Sequence, residues 1–251
     1  DNLRKDGRIE AWQIVDCHLH EQSGIDIVDT IRLFSPDVVL HGMTDSMTQG
    51  WIVKIGEAFP DIIQVQSMWD FRPEYLKYDG LWDEWKRAGK YLKLITLSNK
   101  NQLDWWARDF GVPTMYWPHG CVVQDVEYDE KYALDCVFTG SRNESGPYVE
   151  RVKLIDSIDA ILKRNGTFVT WINAPGGDAG IERGQIWQDL GKIYHSAKTV
   201  LDISHFWRED GYASGRYFYC AGLGGCSISK RFPGCEDLFP QGTKDYFDTP
   251  E

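Results

Sequence analysis

The sequence lacks the patterns that mark several common classes of protein. It has no apolar run of about 18 residues, and residues 1–10 are too polar for a signal peptide, so we expect a cytoplasmic chain without a membrane span. Its six cysteines include no C-x-x-C pair, which argues against a zinc knuckle and against a disulfide framework. No D-x-D pair is present to hold a metal ion.

Positive charge is also scarce. The 27 Lys and Arg residues against 38 Asp and Glu residues give a net charge of −11, which repels phosphate backbones and anionic lipid headgroups. This charge argues against a general nucleic-acid coat protein. Hydrophobic residues, by contrast, make up 42% of the 251 residues, which is enough for a buried core and excludes a disordered chain.

Short β-branched or aromatic runs alternate with longer amphipathic stretches, a pattern typical of βαβ units around parallel sheets. We therefore predict an α/β fold. The predicted strands are 11–17, 37–42, 62–68, 91–97, 113–117, 135–140, 167–172, 198–203 and 225–229. The predicted helices are 24–34, 47–58, 99–110, 147–164, 184–195 and 214–222.

Residues 118–134 interrupt this alternation, because they have no apolar face of helical spacing. We place a domain boundary there and predict two Rossmann-like domains, residues 1–120 and 121–251, that face each other across a cleft. Ligands of open parallel sheets bind beyond the carboxyl ends of the strands, so we expect the site in that cleft. The chain begins with Asp1 and stops where a helix would begin, so we also expect elements to be missing at one or both ends.

The stretch 208–239 is the most informative motif. It follows a predicted strand, passes through Asp210, Gly211 and Gly215, and opens a helix whose first turn holds Arg216. Free N–H groups at such a helix start suit a diphosphate, and Arg216 adds a cation. Glu236 lies beyond the next strand, where its carboxylate could accept hydrogen bonds from ribose hydroxyls. Alternatively, the glycines only serve turns and close helix packing.

This stretch resembles the C-terminal donor-binding segment of the GT-B glycosyltransferases, in particular the CgeB-like group. The family pattern runs D-G-x-x-x-R-x-F-E-x-x-x-x-G-G and then P-G-x-E-x-L-F. The residues that match are Asp210, Gly211, Arg216, Phe218, Gly224, Gly225, Pro233, Gly234, Glu236, Leu238 and Phe239, with one residue more between Gly211 and Arg216 than the pattern has. The resemblance extends upstream through residues 118–120 and 135–142 and covers roughly residues 110–251.

The resemblance implies a metal-independent enzyme that moves a sugar from a nucleotide-activated donor to a hydroxyl acceptor on a glycan, small molecule, protein or modified nucleobase. It places the acceptor on the N-terminal domain and the donor on the C-terminal one, and it implies no cofactor beyond the donor. The chain departs from the pattern at Tyr219, where the family has an acidic residue for the donor ribose. A phenol cannot supply a carboxylate's two acceptor oxygens.

Three further positions follow predicted strands and complete the candidate site. Gly140, Ser141 and Arg142 form a strand-to-helix turn fit for a phosphate, with Arg142 as a candidate to neutralise the leaving diphosphate. His119 follows the strand at the domain boundary and is a candidate acid or base. Asp70 also ends a strand and is a candidate carboxylate for the acceptor. Packing or surface roles remain open for Arg142, His119 and Asp70.

Two other functions stay open. His18 and His20 would lie on one face of a strand, as the first metal pair of an amidohydrolase-like barrel requires. A barrel, however, needs a helix after every strand, and residues 118–134 supply none. The second alternative is a protein that binds a nucleotide sugar without turning it over, which Tyr219 suggests.

Overall fold

The computed structural model describes residues 7, 9–11, 13–15, 26–42, 46–69, 81–142, 148–172 and 183–250. The contacts between Cα atoms divide the chain into two compact units. The first unit comprises Asp1–Thr96 and Trp106–Thr114, and the second comprises Leu97–Trp105 and Met115–Glu251. The short segment Leu97–Trp105 therefore belongs with the C-terminal part of the chain.

The first sheet has four strands in the order β1-β2-β3-β4, and β1 and β2 are parallel. The strands are β1 (Val38–His41), β2 (Ile63–Met68), β3 (Leu92–Leu97) and β4 (Thr114–Tyr116). The helices around them are α1 (Ile27–Phe34), α2 (Ser46–Ala58), α3 (Trp82–Gly89) and α4 (Leu103–Phe110), and α4 follows a 3-10 turn at Lys100–Gln102.

Local sequence signals explain how these helices begin and pack. The Asp26 carboxylate accepts a hydrogen bond from the Val28 amide and caps α1. In α3 and α4, the buried rings of Trp85 and Trp106 meet edge to face with their centroids 5.7 Å apart. The ring of Phe110 in α4 lies 5.2 Å from that of Trp82 in α3, so aromatic packing joins these two helices.

The second sheet has five strands, all parallel, in the order β6-β5-β7-β8-β9. They are β5 (Cys136–Thr139), β6 (Val169–Ile172), β7 (Val200–Asp202), β8 (Ser227–Lys230) and β9 (Asp245–Phe247). The helices are α5 (Val149–Lys163), α6 (Arg183–Ser196), α7 (Gly215–Gly222) and α8 (Cys235–Leu238), and a 3-10 turn lies at Glu130–Tyr132.

Strands β5, β6 and β7 of this sheet are buried on both faces. On one face Phe138 of β5 and Trp171 of β6 pack with Val152 and Ile155 of α5. The other face carries the next residues along the same strands, and the cluster there consists of Tyr132, Val137, Ile172, Ile193, Tyr194, Ala197, Val200 and Cys220. Strands covered on both faces are mostly apolar, which explains the near-continuous hydrophobic runs in the sequence.

Eight of the nine predicted strands correspond to β1 to β8, and the six predicted helices correspond to α1, α2, α4, α5, α6 and α7. Of the strand predicted at 11–17, the structure describes residues 11 and 13–15, and these do not form a strand, so the prediction is wrong there; residues 12, 16 and 17 lie outside the described residues. The short elements α3, α8 and β9 were not predicted. Within the described chain, the strands form two open sheets and no closed barrel, as the α/β prediction required.

Candidate functional site

The order of the second sheet reverses between β5 and β7. The chain leaves β5 toward α5, which packs on one face, and leaves β7 toward α7, whose Cys220 packs on the other face. Because the two connections diverge, the carboxyl ends of β5 and β7 leave a crevice, and ligands of open α/β sheets bind at such a point.

The guanidinium group of Arg216 lies at this point. Its Nε donates to the carbonyl oxygen of Thr139 at 2.7 Å, at the end of β5, and its Nη1 donates to that of Ile203 at 3.1 Å, just after β7. The group lies over the Phe138 ring, 4.5 Å from the centroid. Among the described residues, no carboxylate is within ion-pair distance of Arg216. The half-buried cation thus holds two strand ends together while its charge stays uncompensated.

Gly140 leaves room for Arg216. Its φ of +149° is one that L side chains rarely adopt, and a Cβ there would lie 2.8 Å from Arg216 Nη2 and 3.1 Å from the Phe138 ring. The carbonyl of Gly140 accepts a hydrogen bond from Trp171 Nε1 at 2.6 Å. A glycine is therefore required at this turn by both conformation and space.

Two more arginines lie around the same turn. Arg142 is exposed, pairs with Asp156 at 3.0 Å, and lies over the Trp171 ring at 5.0 Å. Arg151 is 4% exposed and donates to the carbonyl of Ser141 at 2.9 Å. The turn at residues 139–142 thus contains Arg142 and binds the guanidinium groups of Arg151 and Arg216. This is a local concentration of positive charge in a chain of net charge −11.

Arg151 was missed in the sequence, although it lies in the first turn of a helix that follows the predicted phosphate turn. Its burial was the missing information, because a helical arginine is normally read as a solvated residue. Its ring neighbours are Phe138 and Tyr148, with centroids 5.4 and 5.0 Å from Cζ.

The Gly211 turn is held by bonds of its own. Its N–H donates to the Pro233 carbonyl at 2.8 Å, its carbonyl accepts from the Tyr116 hydroxyl at 2.6 Å, and its φ is +68°. The carboxylate of Asp210 lies against Gly234, where a Cβ would be 2.6 Å from its oxygen. Because the Gly211 amide is already engaged, the N–H groups left for an anion are those of the α7 start.

At the start of α7, no hydrogen bond among the described residues engages the backbone N–H groups of Gly215 and Arg216. Ser214 precedes them, and its buried hydroxyl has no hydrogen-bond partner in the described part of the chain. The ring of Tyr219 covers Gly215, where a Cβ would lie 3.0 Å from it, and Tyr219 also packs against the apolar cluster of the sheet. Tyr219 thus forms part of the wall beside the helix start.

Glu236 has partners in its own segment. It is exposed and accepts hydrogen bonds from Arg231 Nη1 at 2.6 Å and from the Cys235 thiol at 3.1 Å. The bond from Cys235 and the charge of Arg231 lower the pKa of the Glu236 carboxyl below its usual value. No contact between Glu236 and Arg216 is present, so the ribose role of Glu236 stays a prediction.

The remaining candidates are His119, Asp70, His18 and His20. His119 lies in the segment after β4 and is half-buried. Asp70, His18 and His20 lie outside the described residues. Within the part that is described, no three His, Cys, Asp or Glu side chains come together as a metal site would need.

A second set of contacts, not predicted, fastens the segment after β3 to the Gly211 turn. The Glu209 carboxylate accepts from the side-chain amides of Asn99 at 3.4 Å and Asn101 at 3.0 Å. The backbone N–H of Lys100 donates to the Asp210 carbonyl at 3.1 Å, and its ammonium pairs with Asp237 at 2.9 Å. These partners are separated by more than 100 residues, so periodicity could not reveal them.

No helix of the described ranges is both long and apolar enough to cross a bilayer.

Comparison with known proteins supports the fold. No family model and no curated protein matches the chain. Its structure is similar to the UDP-forming alpha,alpha-trehalose-phosphate synthase of Burkholderia xenovorans, with a TM-score of 0.55 and 11% identity over 89% of this chain and 65% of that one. The apo structure of OtsA gives a TM-score of 0.54 and 11% identity over 84% of this chain and 62% of that one.

A putative UDP-N-acetylglucosamine 2-epimerase of Listeria monocytogenes gives a TM-score of 0.49 at 11% identity, over 84% of this chain and 62% of that one, which is too low to carry an argument. The chain spans less than two thirds of each of these proteins. The likeness concerns the fold alone. The chain has two Rossmann-like α/β sets of the GT-B type, which confirms the predicted fold class.

Proposed function

We propose that this protein transfers a sugar from a nucleotide-activated donor to a hydroxyl group of an acceptor, and that the donor diphosphate binds at the carboxyl ends of β5 and β7. The observation that carries the proposal is the uncompensated charge of Arg216 at the point where the sheet order reverses. The motif resemblance at residues 208–239 favours a CgeB-like glycosyltransferase within the GT-B type. The division into an acceptor domain at 1–120 and a donor domain at 121–251 belongs to the same proposal.

Arg216 has donors to spare for an anion. A guanidinium carries five N–H groups, and two of them bind the carbonyls of Thr139 and Ile203. Three remain, on Nη1 and Nη2. A diphosphate would satisfy them and would also compensate a half-buried charge, which is costly to leave unpaired. The amides of Gly215 and Arg216 and the side chain of Arg142 are the further candidates to bind it.

The same groups would assist the reaction. When the bond between the anomeric carbon and the phosphate oxygen breaks, its electron pair stays on the diphosphate, and cations and helix N–H groups stabilise that growing charge. The acceptor oxygen forms the new bond to the anomeric carbon and loses its proton. We propose His119 or Asp70 as the group that takes this proton, and no metal ion or cofactor beyond the donor.

Binding without turnover is the second candidate function. Tyr219 favours it, because it stands where the resembling family has a carboxylate, and its ring packs on Gly215 and the apolar cluster. Release of free nucleoside diphosphate from a nucleotide sugar in the presence of an acceptor distinguishes an enzyme from a binding protein.

The first experiment titrates UDP, GDP, ADP and dTDP into the protein by calorimetry and repeats the best one with Arg216→Ala. We expect one nucleotide to bind the unmodified chain and the variant to bind it about 10- to 150-fold more weakly, the equivalent of about 1.5–3 kcal/mol for a lost bond to a charged group.

The matched control is Arg164→Ala, which makes the same charge change at the exposed C-terminal end of α5. It should leave the affinity unchanged. The proposal fails if no diphosphate binds, or if both arginine variants bind equally well.

A further inference from the structure

A buried ion pair lies beside the candidate site. Asp202, the last residue of β7, is fully buried, and its Oδ2 accepts from Lys244 Nζ at 2.9 Å and from the Ser229 hydroxyl at 3.4 Å. Its Oδ1 has no hydrogen-bond partner among the described residues. Lys244 directly precedes β9, and its side chain is 3% exposed. Both charges have thus been removed from water, and each depends on the other.

Lys244 also contacts the helix of the candidate site. Its ammonium donates to the Tyr217 carbonyl of α7 at 3.2 Å and lies 4.9 and 5.0 Å from the ring centroids of Tyr217 and Phe239. The Tyr217 hydroxyl lies within hydrogen-bond distance of the carbonyl oxygens of Asp202 and Lys230, at 3.1 and 2.9 Å, and its single proton is shared between them. The edge strand β9, the central strand β7 and helix α7 are therefore joined at one buried point.

Contacts through their neighbouring residues link Asp202 to Arg216, although the two residues lie 14 positions apart in the sequence. Arg216 Nη1 binds the carbonyl of Ile203, the residue next to Asp202, and Tyr217, the residue next to Arg216, binds the Asp202 carbonyl. Charges interact several-fold more strongly in a protein interior than in water. Without a cation beside it, the Asp202 carboxylate would attract Arg216 and repel a bound diphosphate.

We propose that Lys244 is a positioning residue of the donor site, which keeps the charge of Arg216 available to the diphosphate by neutralising Asp202. The proposal rests on the proposed function. It assigns a role to a lysine that lies outside the 208–239 motif and touches none of the residues proposed to bind the donor.

Calorimetry with the nucleotide that binds most tightly among UDP, GDP, ADP and dTDP tests this, because the two halves of the pair should act in opposite directions. Lys244→Met leaves the Asp202 charge uncompensated and should weaken binding about tenfold. Asp202→Asn removes the competing charge and should bind at least as tightly as the unmodified protein. The double variant removes both charges and should return to within about threefold of it.

Lys244→Arg keeps the charge and should keep the affinity. If the pair were purely structural, Asp202→Asn and Lys244→Met would each break it and would weaken nucleotide binding to a similar extent. Equal losses in Asp202→Asn and Lys244→Met, or a double variant still about tenfold weaker, would overturn the proposal. If Lys244→Met does not fold, the affinities of Asp202→Asn and of the double variant decide. The proposal requires the first to bind at least as tightly as the unmodified protein and the second to bind within about threefold of it.

The unmodified protein is measured first. If it binds none of the four nucleotides, the proposed function and this inference fall together. If it binds one and the variants give the wrong pattern, only the role of Lys244 is refuted.

Discussion

The two sheets bury polar side chains in different ways. In the first sheet the buried side chains of His41 and Gln64 satisfy each other: Gln64 Nε2 donates to the Ile52 carbonyl at 3.1 Å, and its Oε1 faces His41 Nε2 at 3.0 Å. With the amide oriented by Ile52, the His41 nitrogen is the donor. In the second sheet Arg216 is left with a charge that no carboxylate of the described residues pairs.

The comparison shows which kind of polar group indicates a site. His41 and Gln64 are polar and buried, but they bind each other and the Ile52 carbonyl, so this pair requires no ligand. Arg216 is partly buried and retains both donors and charge, so an anion would complete its surroundings. Buried polarity alone is therefore a weak indication of function, and uncompensated charge is a stronger one.

The largest expected effect comes from Gly140→Ala, which should both displace Arg216 and strain the backbone of the turn after β5. The added Cβ would displace Arg216 Nη2, so binding of the best nucleotide should weaken at least about tenfold, as for loss of a charged hydrogen bond. The φ of +149° should also cost about 1–3 kcal/mol of unfolding free energy. Calorimetry and urea denaturation measure the two effects.

Gly166→Ala is the control for Gly140→Ala. Gly166 also has a positive φ, +77°, but a Cβ there would meet nothing within 4 Å. We expect a loss of about 1 kcal/mol in stability and no change in nucleotide affinity. Equal weakening of binding by both variants would show that strain, and not the displacement of Arg216, is responsible.

We expect low pH to reduce the stability of the fold through His41 of the first sheet. Burial lowers the pKa of His41 to about 4, while its bond to Gln64 opposes the shift. The unfolded chain takes up this proton near pH 6.5 and the folded one only near pH 4, so the stability from a neutral His41 is lost as pH falls through this range. At pH 4.5 the loss should be about 2–3 kcal/mol.

Urea denaturation at pH 7.0 and 4.5 measures this loss, and His41→Gln should reduce it. The same substitution at exposed His195 is the matched control. An unchanged pH dependence in His41→Gln would show that His41 is not the group that titrates.

Tyr116→Phe should have a smaller effect, confined to the Gly211 turn. Losing the bond from its hydroxyl to the Gly211 carbonyl should cost about 1 kcal/mol at pH 8. Burial, helped by Asp210 and Asp237, raises the pKa of Tyr116 to about 12. Unfolded tyrosine loses its proton near pH 10, so this tyrosine makes the fold less stable as pH rises from 10 to 12.

Denaturation at pH 8 and pH 11 checks both statements, with Tyr128→Phe, at an exposed tyrosine, as the control. In Tyr116→Phe the loss between the two pH values should be smaller than in the unmodified chain. A loss as large in the variant would contradict the assignment.

The smallest expected effect is that of Tyr219→Phe. The Tyr219 ring packs on Gly215 and on the apolar cluster, and the variant keeps the ring, so nucleotide affinity should change by less than about threefold. Because a tyrosine stands where the resembling family has the carboxylate for the ribose, we also expect little preference for ribo- over 2′-deoxyribonucleotides in competitive binding. A strong ribose preference that Tyr219→Phe abolishes would show that the hydroxyl binds the donor.

The sequence predicted most of the elements because their signals are local. Short apolar runs mark β5 and β7. The Gly-rich turn before Arg216 marks the start of α7. The edge strand β9, Asp245–Phe247, has polar residues on both sides and no longer apolar run around it, so periodicity does not detect it. Strands β4 and β7 are equally short, but the runs predicted around them are longer. The helix α3 was missed although Trp82 and Trp85 have helical spacing.

The surroundings of the candidate site could not be predicted in the same way. The turn at Gly140 and the cation at Arg216 could be named from the sequence, but the engagement of the Gly211 amide by Pro233 depends on tertiary contact. The same holds for the burial of Arg151 and for the pairing of Asp202 with Lys244, 42 positions apart. Such contacts follow from the order of the strands, which hydrophobic periodicity does not specify.

The central claim is that a diphosphate occupies the carboxyl ends of β5 and β7, and a crystal structure of the protein with its best nucleoside diphosphate tests it most directly. We expect a phosphate oxygen at hydrogen-bond distance, about 2.7–3.2 Å, from Arg216 Nη1 or Nη2, with the bonds to Thr139 and Ile203 retained. A nucleotide bound at the first sheet, or one whose phosphates are not within reach of Arg216, would contradict the account.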